Sequence, residues 1–222
     1  MARLFLATLL SEANISSLQA VRNSLVKLAS LNPDSLRWTI DSKLHLTWLF
    51  LGSLNEAGLI QVQKSLKDFP ARNDNRFKTP TLSFDKAEIW HSHGVPRHLV
   101  LTPSLIPLEF DHLAAQIRDS FLPFVEDAFR LQAQRAPRPH VTLAHFKKHN
   151  GQEPLANFSP PLDNHPLQNS DPSSPGILIP VGFENPLTLR LSALALIESS
   201  NDGATNHYRT IETLPIGHPG AS

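Results

Sequence analysis

Two histidines in this chain each stand two residues before a threonine, at His45-x-Thr47 and His140-x-Thr142. Both pairs lie in short apolar segments that are predicted to be strands. Because side chains alternate between the two faces of a strand, each imidazole shares a face with its threonine hydroxyl. An imidazole has an unperturbed pKa of about 6.5, so near neutral pH one histidine can accept a proton while another donates one. Two such strands together suit the cleavage of a phosphodiester, with the hydroxyls donating hydrogen bonds to phosphate oxygens.

An internal repeat gives the two motifs more weight than either has alone. The order strand, helix, His-x-Thr strand occurs twice, and His45 and His140 stand 95 positions apart. The same offset carries Phe5, in the first predicted strand, to Val100, in the strand that opens the second half. The repeat predicts two similar lobes of one domain, with the two motifs facing each other across a groove.

The elements that position these motifs follow from the periodicity of apolar residues. Strands are predicted at 4–10, 43–51, 81–90, 97–102, 140–146 and 187–197, with a last edge strand at 203–211. Helices are predicted from Asn14, whose side chain can cap the first turn, to near Leu31, and from Asn55 to about Lys67. A third helical segment at 105–131 contains Pro123, which should kink or divide it.

The segment 149–180 differs in composition from the rest of the chain. It is rich in Pro, Asn, Ser and Asp and has few large apolar residues, so it is predicted to be a loop or a partly disordered insert. The remaining pattern predicts an α+β fold in which 1–222 form a single bilobal domain.

Composition excludes several classes of function. The 222 residues contain no Cys, which rules out disulfides, thiol nucleophiles and Cys-ligated zinc. Twenty basic and twenty acidic residues balance, so an anionic ligand must be held locally rather than by a global positive field. The apolar run near the first residue is short for a secretion signal, and no window is long enough for a membrane span. We therefore expect a cytoplasmic protein without a membrane partner.

Three further histidines, His91, His93 and His98, are close enough in sequence to suggest a metal site. The intervening 94–96, Gly-Val-Pro, is typical of a hairpin turn, so polar residues at a surface turn are the better interpretation. We predict no metal and no cofactor.

Four aromatic residues could stack on a nucleobase: Trp38, Trp48, Trp90 and Phe84. Aromatic residues at strand positions are ordinarily part of the core, which is the preferred interpretation for most of them. Trp48, next to Thr47, is retained as a candidate substrate-binding residue.

These motifs resemble the two-histidine phosphoesterases, and within them the RNA 2',3'-cyclic phosphodiesterases, also called 2'-5' RNA ligases. The matching segments are 3–7 (RLFLA), 44–52 (LHLTWLFLG), 139–144 (PHVTLA) and the late Tyr208. The resemblance covers about the first 148 and the last 35 residues. It implies a bilobal α+β fold with two pseudo-symmetric lobes, each with an antiparallel sheet and helices, and an active groove between them.

The resemblance also implies the chemistry: hydrolysis of a 2',3'-cyclic phosphate to a 2'-phosphate. His45 would donate a proton to the departing 3' oxygen, His140 would accept one from water, and Thr47 and Thr142 would contact the phosphate. The implied substrates are RNA ends or nucleoside 2',3'-cyclic phosphates, and the implied state is a monomer. Which histidine is the acid stays open, as do two alternatives: 2'-5' ligation as the working reaction, and a binding module without turnover.

One position departs from the family pattern, which often has Arg five residues after the second histidine. This chain has His145 there, and strand alternation would point it away from His140 unless the strand bulges. His145 and Arg138 are the candidate phosphate contacts, and Lys147 and Lys148 could add charge.

Overall fold

The computed structural model describes residues 3–28, 33–72, 79–92, 94–147, 176–179, 186–201 and 206–216. These residues form a mixed fold of helices and antiparallel strands, as the sequence predicts. The strands are β1 (Arg3–Leu9), β2 (Leu36–Trp38), β3 (His45–Gly52), β4 (Thr81–Ser92), β5 (Val95–Pro103), β6 (Val141–Phe146), β7 (Ile177–Ile179), β8 (Leu187–Arg190), β9 (Ala193–Asn201) and β10 (Asn206–Pro215). The helices are α1 (Glu12–Leu28), α2 (Glu56–Arg72), α3 (Leu108–Phe121) and α4 (Asp127–Ala133).

The strands form two halves that meet at one point. In the first lobe the strand order is β10-β9-β1-β3, and in the second it is β6-β5-β4, with β2 added to β6 and both β7 and β8 added to β4. Within the described ranges, the halves are joined by one residue pair, Leu46 of β3 with Val141 of β6. Because the two strands pair at a single position, they diverge on both sides of it, and the groove opens there.

Both lobes contain the same β-bulge beside the His-x-Thr motif. In the first lobe Ala7 pairs with Thr47 and Leu6 with Leu49, and in the second Val100 pairs with Thr142 and Leu99 with Ala144. An extra residue in each His-x-Thr strand, Trp48 or Leu143, is thus unpaired in the ladder. The shared irregularity supports the repeat that the sequence predicts.

The predicted alignment of β1 with β5 in the repeat is wrong by two residues. The His-x-Thr strands are offset by 95 positions, but Phe5 pairs with Phe50 while His98 pairs with His145. Phe5 therefore corresponds to His98, two residues earlier than Val100. A shift of two keeps every side chain on its own face, so the apolar pattern of β5 alone cannot reveal it.

The first helix begins earlier than predicted, and its cap is a different residue. The Ser11 backbone N–H donates to the Asn14 side-chain oxygen at 3.3 Å, and the Asn14 backbone N–H donates to the Ser11 hydroxyl oxygen at 3.3 Å. This reciprocal pair is a capping box in which Ser11 is the N-cap, so the assignment of the cap to Asn14 was wrong. The predicted end near Leu31 lies outside the described residues, which show the helix to Leu28.

Two other boundaries test the predicted elements. The segment with Pro123 is divided as expected, into α3, a short 3-10 turn at Leu122–Phe124 and α4. The single strand predicted at 187–197 is wrong, because it is two strands: β8 pairs with β4 in the second lobe and β9 pairs with β1 in the first. Both pack on the core, so their apolar alternation continues across the crossing.

Two short strands, β2 and β7, were not predicted. Strand β7 lies within the Pro-rich segment and pairs with β4, whereas 148–175 and 180–185 lie outside the described residues. Among the described residues, no helix is long and apolar enough to cross a membrane.

The two faces of the central strands differ in what covers them. Leu46 and Trp48 of β3 are buried in the main core, where the Trp48 ring stacks on Phe110 of α3 with centroids 5.0 Å apart. His45 and Thr47 point to the opposite face and stay partly exposed. The helices thus fill one face, and the His-x-Thr side chains are left on the groove face.

Candidate active site

The two motifs lie next to each other where the lobes meet. Since β3 and β6 are antiparallel and Leu46 pairs with Val141, the register brings His45 beside Thr142 and Thr47 beside His140. The imidazoles are close enough for the charge on His45 to lower the pKa of His140. A compact set of two imidazoles and two hydroxyls results, with each imidazole next to the hydroxyl of the other lobe.

Backbone hydrogen bonds determine which nitrogen of each ring faces the groove. The His45 Nδ1 lies 2.7 Å from the Lys43 carbonyl oxygen, and the His140 Nδ1 lies 2.8 Å from the Arg138 carbonyl oxygen. A carbonyl oxygen can only accept, so each Nδ1 carries the hydrogen and donates it. The Nε2 of each ring is therefore free for chemistry: it accepts a proton when the ring is neutral and donates one when the ring is charged.

Both histidines are perturbed in the same direction. Burial lowers the pKa of His45 and of His140, and the hydrogen bond to the backbone carbonyl opposes this in each case. For His140, the charges of His45 and Arg138 lower the pKa further, while the Glu88 carboxylate raises it. A ring that is neutral at rest is ready to act as a base, and an incoming phosphate anion would favour the protonated form that an acid needs.

In the first lobe, aromatic rings surround the imidazole. The His45 ring centroid lies 5.1 Å from that of Phe5 and 5.7 Å from that of Tyr208, which meets it edge-on. The Lys43 ammonium lies 5.7 Å from the Tyr208 ring centroid and donates to the Asn206 carbonyl oxygen. The His45 ring thus lies against an aromatic wall, and the Lys43 ammonium lies on the Tyr208 ring of that wall.

In the second lobe, a buried carboxylate organises the surroundings. The Trp90 ring centroid is 4.4 Å from that of His140, and the Arg138 guanidinium lies over the Trp90 ring at 4.5 Å. Glu88 accepts hydrogen bonds from the Trp90 indole at 2.8 Å, from the Thr102 hydroxyl at 2.7 Å, and from Arg138. Glu88 therefore fixes two groups that hold His140: the ring beside it and the residue whose carbonyl binds its Nδ1.

A cavity of about 530 Å³ opens beside the second motif. Thr47 and His140 both line it. Its other walls come from β3, β4, α4 and the loop after α4, and the large side chains among them are Trp48, Leu49, Phe50, Trp90, Phe129, Gln132, Arg135 and Arg138. Its size and mostly apolar lining suit a planar organic group such as a nucleobase next to the reacting centre.

Two of the predicted binding residues are already engaged by the protein. Trp48 is 6% exposed, stacks on Phe110, and donates its indole N–H to the Thr8 hydroxyl at 2.9 Å. Trp48 also lines the cavity while its polar group is bound within the core, and its contact with a substrate stays a prediction. Arg138 lines the cavity too, and its guanidinium forms an ion pair with Glu88, so its contact with a phosphate also stays a prediction.

The bulge in β6 turns His145 toward the groove. Position 143 is the extra residue, and the burial pattern of β6 returns to partial exposure at His145 after two buried residues. His145 therefore shares a face with Thr142, against simple alternation. Its ring meets that of His98 edge-on with centroids 5.0 Å apart.

Sequence reasoning missed several groups around the site. Glu88 is a buried carboxylate in an otherwise apolar strand, and that alone could have marked it. Arg37 lies opposite His145 in β2, a strand too short to be recognised from periodicity. Of the three histidines considered for a metal, His93 lies outside the described residues, and within them no group of three His, Asp or Glu side chains has the arrangement of a metal site.

Comparison with solved structures gives the class of fold. TT0787 of Thermus thermophilus superposes with a TM-score of 0.63 at 18% identity, over 96% of this chain and 97% of that one. E. coli LigT complexed with NADP+ gives 0.62 at 20% identity, over 97% and 98%. A structure described as a phosphoesterase gives 0.58 at 20% identity, over 98% of this chain and all of the other.

The chain therefore has the fold of TT0787, of LigT and of the structure described as a phosphoesterase along nearly its whole length, which confirms the fold that the sequence resemblance implied. No family model matches the sequence, and no curated protein matches it. At this level of identity the likeness establishes the architecture.

Proposed function

We propose that this protein is a phosphoesterase that hydrolyses a 2',3'-cyclic phosphate, on a nucleoside or at an RNA end, to the 2'-phosphate. The observation that carries the proposal is the matched pair of imidazoles, each with Nδ1 bound to the carbonyl two residues before it and Nε2 free. Two groups held alike and close together meet the need for one proton acceptor and one proton donor across a single phosphate.

The proposed step balances with these groups alone. A water oxygen attacks phosphorus, and the Nε2 of His140 takes the proton that the water loses. The bond from phosphorus to the 3' oxygen breaks, and the Nε2 of His45 supplies a proton to that oxygen. The Thr47 and Thr142 hydroxyls donate to the non-bridging oxygens, on which negative charge grows. Proton exchange with solvent then returns both rings to their starting states.

The comparisons support a nucleotide as the substrate class. E. coli LigT has been solved complexed with NADP+, with ATP and with 3'-AMP, and with phosphate. The cavity beside Thr47 and His140 could take the nucleoside part of such a ligand. A monomer in the cytoplasm remains part of the proposal.

The direct test is turnover of the four nucleoside 2',3'-cyclic monophosphates in the presence of EDTA, with products resolved as 2'- or 3'-phosphates. We expect only 2'-phosphate, because the proposed acid protonates the 3' oxygen. Exclusive formation of 3'-phosphate would mean that the acid protonates the 2' oxygen instead, which contradicts the proposed step. No turnover of mononucleotides or of a cyclic-phosphate-terminated trinucleotide, by a protein that still binds them, would favour a binding module instead.

Ligation would use the same groups, because a 5'-hydroxyl would replace water as the nucleophile that attacks the cyclic phosphate, and the 3' oxygen would leave in both reactions. Binding of a 2'-phosphate analogue cannot distinguish hydrolysis from ligation. The two reactions are distinguished by supplying an RNA with a 5'-hydroxyl together with an RNA that ends in a cyclic phosphate. A 2'-5' linked product at a rate equal to or above hydrolysis would make joining the working reaction.

A further inference from the structure

One row of side chains crosses the groove face of the second lobe beyond the proposed catalytic pair. Arg37 of β2 pairs with His145 of β6, and His145 pairs with His98 of β5. Directly opposed residues of antiparallel strands point to the same face, with Cβ atoms about 5 Å apart. A guanidinium and two imidazoles are therefore adjacent on one surface.

Two arginines give this row positive charge, and no carboxylate of the described residues forms an ion pair with either of them. Neither Arg37 nor Arg97 forms an ion pair with any described residue, whereas Arg22, Arg138 and Arg209 each do. Arg97 is near enough that its charge lowers the pKa of both His98 and His145. The cluster consists of Arg37, Arg97, His98 and His145, and we call it the basic row.

One nitrogen in the basic row is buried without a hydrogen-bond partner in the described part of the chain, which indicates that the row binds a ligand. The Nδ1 of His98 is buried and has no hydrogen-bond partner among the described residues. A buried polar group without a partner is costly, and polar groups of this kind are usually satisfied by water or a ligand. Two guanidinium groups beside the imidazoles disfavour a metal cation, so the ligand chemistry that fits is an anion.

The basic row continues the groove rather than forming a separate site. His98 pairs with Trp90 of β4 on one side and with His145 of β6 on the other, and the Trp90 ring centroid lies 4.4 Å from that of the proposed catalytic His140. His145 is three residues beyond Thr142, which is about 10 Å along an extended strand. An imidazole cannot cover that distance to a phosphate held by Thr142, but a second phosphate about one nucleotide away would lie next to it.

We propose that the basic row binds the backbone phosphate next to the terminal cyclic phosphate, so that the substrate is the end of an RNA chain rather than a free mononucleotide. This inference rests on the proposed function, because it takes the cyclic phosphate to lie at the His-x-Thr pair. Bidentate guanidinium contacts from Arg37 or Arg97 would hold the phosphate, and the imidazoles would add hydrogen bonds.

The test compares two trinucleotides that both end in a 2',3'-cyclic phosphate. In one the linkage before the last nucleotide is a normal phosphodiester, and in the other it is an uncharged methylphosphonate. For the unmodified protein we expect kcat/KM to favour the charged linkage by about tenfold, which corresponds to about 1.4 kcal/mol. In the double variant R37Q/R97Q we expect that ratio to fall toward one, with turnover of the cyclic mononucleotide unchanged.

Arg190 provides the matched control, since it is an exposed arginine on β8, which pairs with the far end of β4. R190Q should keep the tenfold ratio. Equal rates on the two trinucleotides in the unmodified protein would overturn the inference, as would a ratio that survives R37Q/R97Q. If the double variant does not fold, R37Q alone, at an exposed position, should lower the ratio at least threefold.

A binding measurement separates this inference from the proposed function. Trinucleotides with a terminal 2'-phosphate and either linkage can be compared by fluorescence anisotropy, with no turnover required. If hydrolysis is absent but the charged linkage still binds about tenfold more tightly, the proposed function fails and the basic row stands. Equal binding of the two linkages rejects the basic row whether or not the enzyme turns over.

Discussion

The two lobes hold their histidines with the same backbone and surround them with different side chains. In both, the ring donates its Nδ1 hydrogen to the carbonyl two residues earlier, and a bulge follows the threonine. The residues at one matched pair of positions differ: Phe5 and Phe50 in the first lobe, with ring centroids 5.7 Å apart, and His98 and His145 in the second. The backbone repeat thus duplicates the imidazole, and the side chains make the copies unequal.

The difference extends to the groups that hold each ring in place. The residue two positions before each histidine is basic, and its cation lies over an aromatic ring. Lys43 lies over Tyr208, and Arg138 lies over Trp90. The second lobe also has Glu88, which binds both members of its pair. Among the described residues, a carboxylate raises the pKa of His140, and none does so for His45. This difference moves the pKa values of the two imidazoles apart, as a reaction with one acid and one base requires.

The largest effect should come from removing either imidazole. We expect H45A and H140A each to lower kcat/KM on a cyclic mononucleotide by at least 10²-fold, the usual value of one positioned proton transfer. The double variant should be little worse than the poorer single variant, because the two groups act as a unit. Steady-state kinetics on proteins with unchanged circular dichroism checks this, with H112Q, at an exposed site on α3, as the control. Retained activity in either single variant would break the idea of a paired site.

A smaller loss should follow from removing a hydroxyl. T47V and T142V should each lower kcat by roughly 10-fold to 10²-fold, because one donor to the charge that grows on phosphate is lost. T47S and T142S, which keep the hydroxyl, should recover most of the rate. Stability should change little, since both residues are partly exposed. If valine and serine variants behave alike, the threonines act through packing rather than through a hydrogen bond.

Glu88 offers a way to assign the acid and the base. Its carboxylate raises the pKa of His140, so E88Q should lower that pKa. The Gln carbonyl oxygen can still accept from the Trp90 indole, and its amide N–H can donate to the Thr102 hydroxyl oxygen. If His140 is the base, the acidic limb of the pH profile of kcat/KM moves to lower pH. If His140 is the acid, the alkaline limb moves to lower pH instead.

The control for this shift is E198Q, which breaks a comparable ion pair with Arg209 on the far strands of the first lobe. Neither limb should move in that variant. A change in rate without any movement of either limb in E88Q would mean that Glu88 only supports the fold.

The sequence was sufficient for the parts of the molecule that depend on local pattern. The His-x-Thr strands, the division at Pro123 and the order of the repeat follow from side-chain alternation and from backbone rules of single residues. The two-residue shift between β1 and β5 was not accessible, because it leaves every side chain on the same face. The split into β8 and β9 was also hidden, since both strands are apolar toward a shared core.

Around the site, sequence reasoning found the residues that react and missed those that modulate them. His145 was singled out by position, but its direction depends on the bulge at position 143, which no local pattern reveals. Arg37, His98 and Glu88 reach the groove only through strand pairing across long sequence separations. The register between strands depends on the tertiary structure, so such neighbours can be identified only when the pairing of the strands is known.

The smallest expected effect concerns stability at acid pH and tests the surroundings of His145 in the second lobe. Burial, with the charges of His98, Arg37 and Arg97, lowers the pKa of His145 to about 4, whereas in the unfolded chain it would lie near 6.5. Between these values the unfolded chain binds more protons than the folded protein, so stability must rise with pH from about 4 to about 6.5. In H145Q that contribution is absent, and the free energy of unfolding should depend less steeply on pH within that window. Urea unfolding at several pH values, with H112Q as the control, measures the slope. An identical slope in H145Q would mean that neither burial nor the neighbouring charges of the basic row lower the pKa of His145, and the two lobes would then differ less in their electrostatics than their side chains indicate.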